Sequence, residues 1–89
     1  MVSWKTKISN PSGLHLRPAG ELCQLAIEFE CKVMFKYAEG TGTANAKSVL
    51  SVLGACVKCG DTVEFVCDGV DEEEAMERIK TLVKNGLGE

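Results

Sequence analysis

His15 is the only histidine in the 89-residue chain, and a neutral imidazole is a competent nucleophile near neutral pH. It lies in Gly13-Leu14-His15-Leu16-Arg17-Pro18-Ala19. There the turn-forming run Asn10-Pro11-Ser12-Gly13 gives way to apolar residues at helical spacing. A helix start leaves the backbone N–H groups of Leu16 and Arg17 without intrahelical acceptors, and the helix dipole adds positive potential. Such a start is an anion site. The unprotonated ring is the nucleophilic form. The chemistry this suggests is reversible capture of a phosphoryl group on a ring nitrogen, with two amides and one guanidinium holding the product anion. An unprotonated nitrogen attacks directly, so no general base is needed. Residue spacing alone leaves open the alternative that His15 only caps the helix or pairs with a nearby acid.

Cysteine is the other reactive type. Of the five (Cys23, Cys31, Cys56, Cys59 and Cys67), three fall where the apolar pattern expects core residues, as free thiols do in a reducing compartment. Cys56-x-x-Cys59 is the one spacing with chemical meaning. It offers two ligands with no second pair at zinc-site spacing, so neither a metal nor a cofactor is expected. A thiol or metal protein built on Cys56 and Cys59 stands as an alternative.

These residues must be positioned by a small scaffold. The length fits one domain spanning 1–89, and the composition is that of a globular chain. A net charge of −3 argues against nucleic acid as the main partner. No apolar run reaches membrane-spanning length, and Met1-Val2-Ser3-Trp4-Lys5 lacks the layout of a secretory signal. A cytoplasmic protein without membrane insertion is therefore expected.

Val2, Trp4, Thr6 and Ile8 alternate with Ser3, Lys5 and Lys7, as in a half-buried strand. Ala19, Leu22, Cys23, Ala26 and Phe29 predict a helix over about 16 to 28. Cys31, Val33, Phe35 and Tyr37 mark a second strand, and Gly40 and Gly42 a hairpin into a short strand near 41–44. A compact helix over about 48 to 54 and a strand through Val63, Phe65 and Cys67 follow. Asp71 and Glu74 have the spacing of a capping pair before a last helix with Ala75, Met76, Ile79, Leu82 and Val83 on its apolar face. The run Asp71-Glu72-Glu73-Glu74 reads as a solvated helix start, and Asn85-Gly86 as the stop. The order β-α-β-β-α-β-α predicts an α+β fold, an antiparallel sheet with helices on one face.

The motif around His15 resembles the active site of the histidine-containing phosphocarrier protein family, HPr, of the bacterial sugar phosphotransferase system. The resemblance covers essentially the whole chain: Asn45-Ala46-Lys47-Ser48 matches the family's second motif, Gly69-Val70-Asp71-Glu72 the start of its last helix, and Gly86-Leu87-Gly88-Glu89 a common tail. It implies an open-faced β-sandwich, a four-stranded antiparallel sheet covered on one face by three helices. It further implies that His15 accepts a phosphoryl group on its δ1 nitrogen from enzyme I, itself charged by phosphoenolpyruvate. The group then passes to the A unit of a sugar-specific enzyme II, with Arg17 attending the phosphate. The protein would be a monomeric carrier, a co-substrate of phosphotransferases rather than an enzyme. A carrier must not hold its phosphate too tightly, which favours a shallow site with few donors.

Leu16 stands where the family most often has alanine, and the hairpin at Glu39-Gly40-Thr41-Gly42 is slightly longer than in the best-known sugar-system members, as in nitrogen-branch relatives. Ser48 matches the serine that an ATP-dependent kinase modifies in one branch, although Leu50 and Ser51 differ from the methionine and glycine usual there. Serine is also a preferred N-cap. Val49, Leu50 and Leu53 would flank His15 in the family fold. Leu50 is expected to face solvent in an apolar docking patch rimmed by Arg17, Lys47 and Lys58. The alternative function is a regulatory or nitrogen-branch module on the same fold. It would act through contacts with an enzyme or transcriptional regulator and be switched by phosphorylation, a serine kinase and phosphatase included.

Overall fold

The computed structural model describes residues 1–89 throughout. Its elements in chain order are β1 (Val2–Lys7), α1 (Leu16–Ala26), β2 (Lys32–Tyr37), β3 (Gly42–Asn45), α2 (Val49–Gly54), β4 (Thr62–Asp68) and α3 (Glu72–Lys84). The strands form one sheet in the order β1-β4-β2-β3, with every neighbouring pair antiparallel. The expected open-faced sandwich is thus the observed architecture.

The period-2 patterns decide which face is buried. Val63, Phe65 and Cys67 of β4 and Val33 and Phe35 of β2 point into the core with 0–1 % exposure. Phe65 stands between Phe35 and Trp4, at ring-centroid distances of 5.8 and 6.1 Å. The helices cover this face: α1 packs on α2 and α3, and α3 on β1 and β4. The opposite face is open and carries the exposed Lys5, Lys7, Lys32 and Lys36. Glu64 lies in register with both Lys5 and Lys36.

The expected boundaries hold to within two residues, but the capping pair does not form. Asp71 occupies the N-cap of α3 and makes no side-chain cap hydrogen bond. Its carboxylate instead accepts the Glu30 and Cys31 N–H groups, each at 2.9 Å. Those amides precede β2 and have no ladder partner, so a carboxylate from a distant segment satisfies them. Glu72, rather than Glu74, folds back to accept the Gly69 N–H at 3.0 Å. The acidic run is thus partly structural, and only Glu73 and Glu74 are fully exposed.

Of the three cysteines expected in the core, Cys31 and Cys67 are buried. Burial pushes the Cys67 thiol up to about 12 and raises that of Cys31, so neither thiolate is available. Cys23 is half-buried, with its Sγ 3.0 Å from the Lys47 carbonyl oxygen.

The Asp71 clamp gives a test with a defined pH dependence. The Glu30 N–H, with help from that of Cys31, holds the Asp71 carboxyl below the usual aspartate range. The stabilisation is therefore complete above the unfolded value of about 3.9 and is lost as pH falls through the lower folded value. Asp71→Ala should melt at lower temperature than the parent near neutral pH, and the two melting curves should converge in strong acid. A gap that persists unchanged in acid would show that the carboxylate is not the source.

Candidate functional site

Residues 9–14 carry the chain from β1 to α1, and they are strapped to the connection between α2 and β4. The Ile8 N–H donates to Asp61 O at 2.8 Å, the Gly60 N–H to Ile8 O at 2.6 Å, and the Leu14 N–H to Val57 O at 3.0 Å. Gly13 has φ +61°, and a Cβ there would stand 2.5 Å from Val57 O and 2.8 Å from Lys58 Cα. Only glycine fits both the left-handed backbone and the close approach. Leu14 is buried beneath the turn.

The inside of this turn is held by Asn10, the one buried polar residue. Its Nδ2 donates to Gly13 O at 2.7 Å and to Glu89 Oε1 at 2.8 Å. The Glu89 carboxylate also accepts the Ser12 hydroxyl at 2.5 Å and the Ser12 N–H at 3.3 Å. The Ser12 hydroxyl and then the Asn10 amide hold the Glu89 carboxyl below its usual range, and the Arg17 charge adds to the effect. Spacing did not single out this carboxylate, which is close enough for the Arg17 charge to act on it weakly. Asn10 and Ser12 were legible only as turn formers, and Glu89 only as part of a tail motif.

His15 is the N-cap of α1, with extended backbone (φ −82°, ψ −165°) and an exposed side chain that makes no cap hydrogen bond. Its carbonyl accepts the Ala19 N–H at 2.8 Å, which fixes the first helical turn. The N–H groups of Leu16 and Arg17 find no acceptor in the protein. Pro18, third in the helix, has no N–H to offer, so the helix start presents two donors. No acidic residue stands in that turn. The imidazole, the two amides and the exposed Arg17 are thus brought together on an open surface. The groove of about 680 Å³ between the β2–β3 hairpin and residues 55–64 contains neither His15 nor Arg17.

The second group of expected site residues lies around α2. Ser48 is its N-cap and accepts the Ser51 N–H at 3.2 Å, while Ser51 Oγ accepts the Asn45 N–H at 2.9 Å. Leu50 is 82 % exposed and Leu16, at the first position of α1, 63 %. Val49 is half-buried, and Leu53 packs against the core. Lys47 differs from the expected rim charge. Its Nζ donates to Phe29 O at 2.6 Å, just past the end of α1, because the carbonyls of a closing helix attract a cation. Lys58 is exposed.

Fold and site together define an open-faced α+β sandwich that displays a histidine beside two unpaired amides at a helix start. The family described as "PTS HPr component phosphorylation site" matches residues 2–85. Phosphocarrier protein HPr of Treponema pallidum is 35 % identical over 89 residues, covering 100 % of this chain and 99 % of the relative. HPr of Cupriavidus necator is 37 % identical over 89 residues, covering 100 % and 98 %. Among solved structures, HPr from Thermoanaerobacter tengcongensis superposes with TM-score 0.94 at 31 % identity, covering 100 % of this chain and 98 % of that one. The chain belongs to the HPr family of phosphocarriers of the phosphotransferase system.

Two substitutions probe the scaffold. Gly13→Ala should cost at least about 1–3 kcal/mol in urea unfolding, since it combines a left-handed φ with a clash against backbone. Ser48→Ala should cost about 1 kcal/mol through loss of the cap alone. A Ser48→Ala protein as stable as the parent would separate Ser48 from any capping role.

Proposed function

We propose that His15 is the phosphoryl acceptor. The lone pair of an imidazole nitrogen forms the N–P bond as the donor's bond to phosphorus breaks, and the reverse step hands the group to the next acceptor. The observation that supports this most is the exposed, unbonded His15 ring at a helix start whose Leu16 and Arg17 amides lack partners. Those amides and the Arg17 guanidinium offset the charge of the arriving group. Few donors, all at the surface, stabilise the adduct without trapping it. By likeness to the family, the donor is enzyme I charged by phosphoenolpyruvate, the acceptor is the A unit of a sugar-specific enzyme II, and the setting is the cytoplasm. The exposed Leu16 and Leu50 would form the apolar part of a transient docking surface for both, flanked by Arg17, Val49 and Leu53. In this reading Lys47 shapes that surface through the Phe29 carbonyl rather than as a charge on its rim. Ser48 would serve as a second modification point, where phosphate adds charge at the start of α2 beside Leu50.

Incubation with phosphoenolpyruvate, magnesium and enzyme I should yield an acid-labile adduct of one phosphoryl group. His15→Ala should abolish it, and Arg17→Ala should slow its formation by roughly tenfold, on the scale of one charge-assisted contact. Wild-type protein that stays unmodified with a competent enzyme I would overturn the reading.

A further inference from the structure

Cys56 and Cys59 are the two exposed thiols of the chain, and the carrier chemistry uses neither. They stand at the two ends of the Val57-Lys58 pair, on which the site turn rests. Cys56 leaves α2 in the left-handed region, φ +53°, with its N–H on Leu53 O at 3.2 Å. The Cys59 Sγ lies 3.6 Å from Ser9 O, at the opposite end of the turn that leads to His15. Between them, Val57 O holds the Leu14 N–H, and the Val57–Lys58 backbone presses on Gly13 with no room for a Cβ. Any covalent link between the two sulfurs therefore encloses the peptide groups that seat the residues before His15.

We propose that Cys56 and Cys59 form a reversible disulfide that slows phosphoryl transfer at His15 by displacing the Val57-Lys58 support; the proposal rests on the reading of His15 as acceptor. With hydrogen peroxide as oxidant, one thiolate attacks a peroxide oxygen, the O–O bond breaks, and a sulfenic acid and one water result. The second thiolate attacks the sulfenic sulfur, so the S–S bond forms, the S–O bond breaks and a second water leaves. Two protons and two electrons pass from the thiols to the peroxide, and a dithiol reductant reverses the change.

The Lys58 N–H donates to Asp61 Oδ2 at 2.9 Å and the Asp61 N–H to Lys58 O at 2.9 Å, which holds residues 58–61 in a tight turn. Closing the disulfide takes the Cys59 sulfur from Ser9 O and removes one tie to the site turn. The contact between Gly13 and residues 57–58 leaves no slack, so movement there passes to Leu14 and His15. The other cysteines do not compete. Cys31 and Cys67 are buried, and Cys23 is half-buried against the Lys47 carbonyl. A displacement of about 1 Å at a reacting group can cost on the order of 100-fold in rate. A slowing of roughly tenfold is expected for a smaller shift of a surface turn.

The test treats reduced protein with hydrogen peroxide, quenches it, and maps the peptides by mass spectrometry. Phosphoryl acceptance from enzyme I is then timed before and after reduction with dithiothreitol. The expected result is a Cys56–Cys59 bond, roughly tenfold slower acceptance, recovery on reduction, and faster amide exchange at Leu14. Cys56→Ser and Cys59→Ser should each accept phosphate at the parent rate and show no slowing after peroxide. A bond elsewhere, no bond, or a Cys56–Cys59 bond with unchanged kinetics overturns the inference and leaves the carrier reading intact. Reduced protein that accepts no phosphate overturns both.

Discussion

Gly13 meets the Val57–Lys58 backbone at a distance that admits no side chain, and the placement of His15 follows from that contact. A left-handed residue reverses the chain there, so that Leu14 can turn inward and His15 outward within two residues. The Leu14 N–H to Val57 O bond fixes the height of the turn, and the Ile8 bonds to Gly60 and Asp61 fix its start. The sheet thereby reaches the site indirectly. β1 and β4 are adjacent and antiparallel, so the residues that follow β1 and precede β4 lie side by side. That adjacency brings the α2–β4 connection under the helix start.

The electrostatics of the site are defined by how little is supplied. Helix α1 begins with two usable amides because Pro18 removes the third, and no acidic side chain in its first turn takes them up. Arg17 is the cation at hand, and it makes no ion pair within 4 Å. The Glu89 carboxylate is held by Ser12 and Asn10 instead. Modest stabilisation of the adduct is what a donor and an acceptor on either side of the same carrier require.

Periodicity made the elements legible because each buries one face. The alternation in β2 and β4 and the i, i+3, i+4 spacing of α1 and α3 located every strand and helix to within two residues. The strand order β1-β4-β2-β3 was not legible, since spacing carries no information on which strands pair. His15 at a helix start was legible from Gly13, Pro18 and the apolar run between and beyond them. The parts that spacing did not show are side chains acting across the chain: Asp71 on Cys31, 40 residues away, and Glu89 on Ser12, 77 residues away. Lys47 is a related case. Its neighbours suggested a surface cation, but the carbonyl of Phe29 claims it. A charged residue's partner depends on which backbone groups the fold leaves unpaired, and that is decided only after the elements pack.

The location of the site on an exposed surface, outside the groove beside the β2–β3 hairpin, follows from the same economy. A pocket would enclose the acceptor nitrogen and demand that each partner insert a matching projection. An exposed ring lets two partners with different active sites approach it in turn, provided that the surroundings offer contact area. Leu16 and Leu50 offer apolar area that folding has not used, on helices that pack against each other. Neither leucine is a core residue displaced outward, since Ala19 and Leu22 of α1 and Val52 of α2 fill the core beneath them. Their burial against a partner would contribute to association with no core residue drawn outward. If His15 is the acceptor, affinity would thereby be separated from chemistry: the leucines would set how long a partner stays, while two amides and one arginine would set how firmly the phosphoryl group is held.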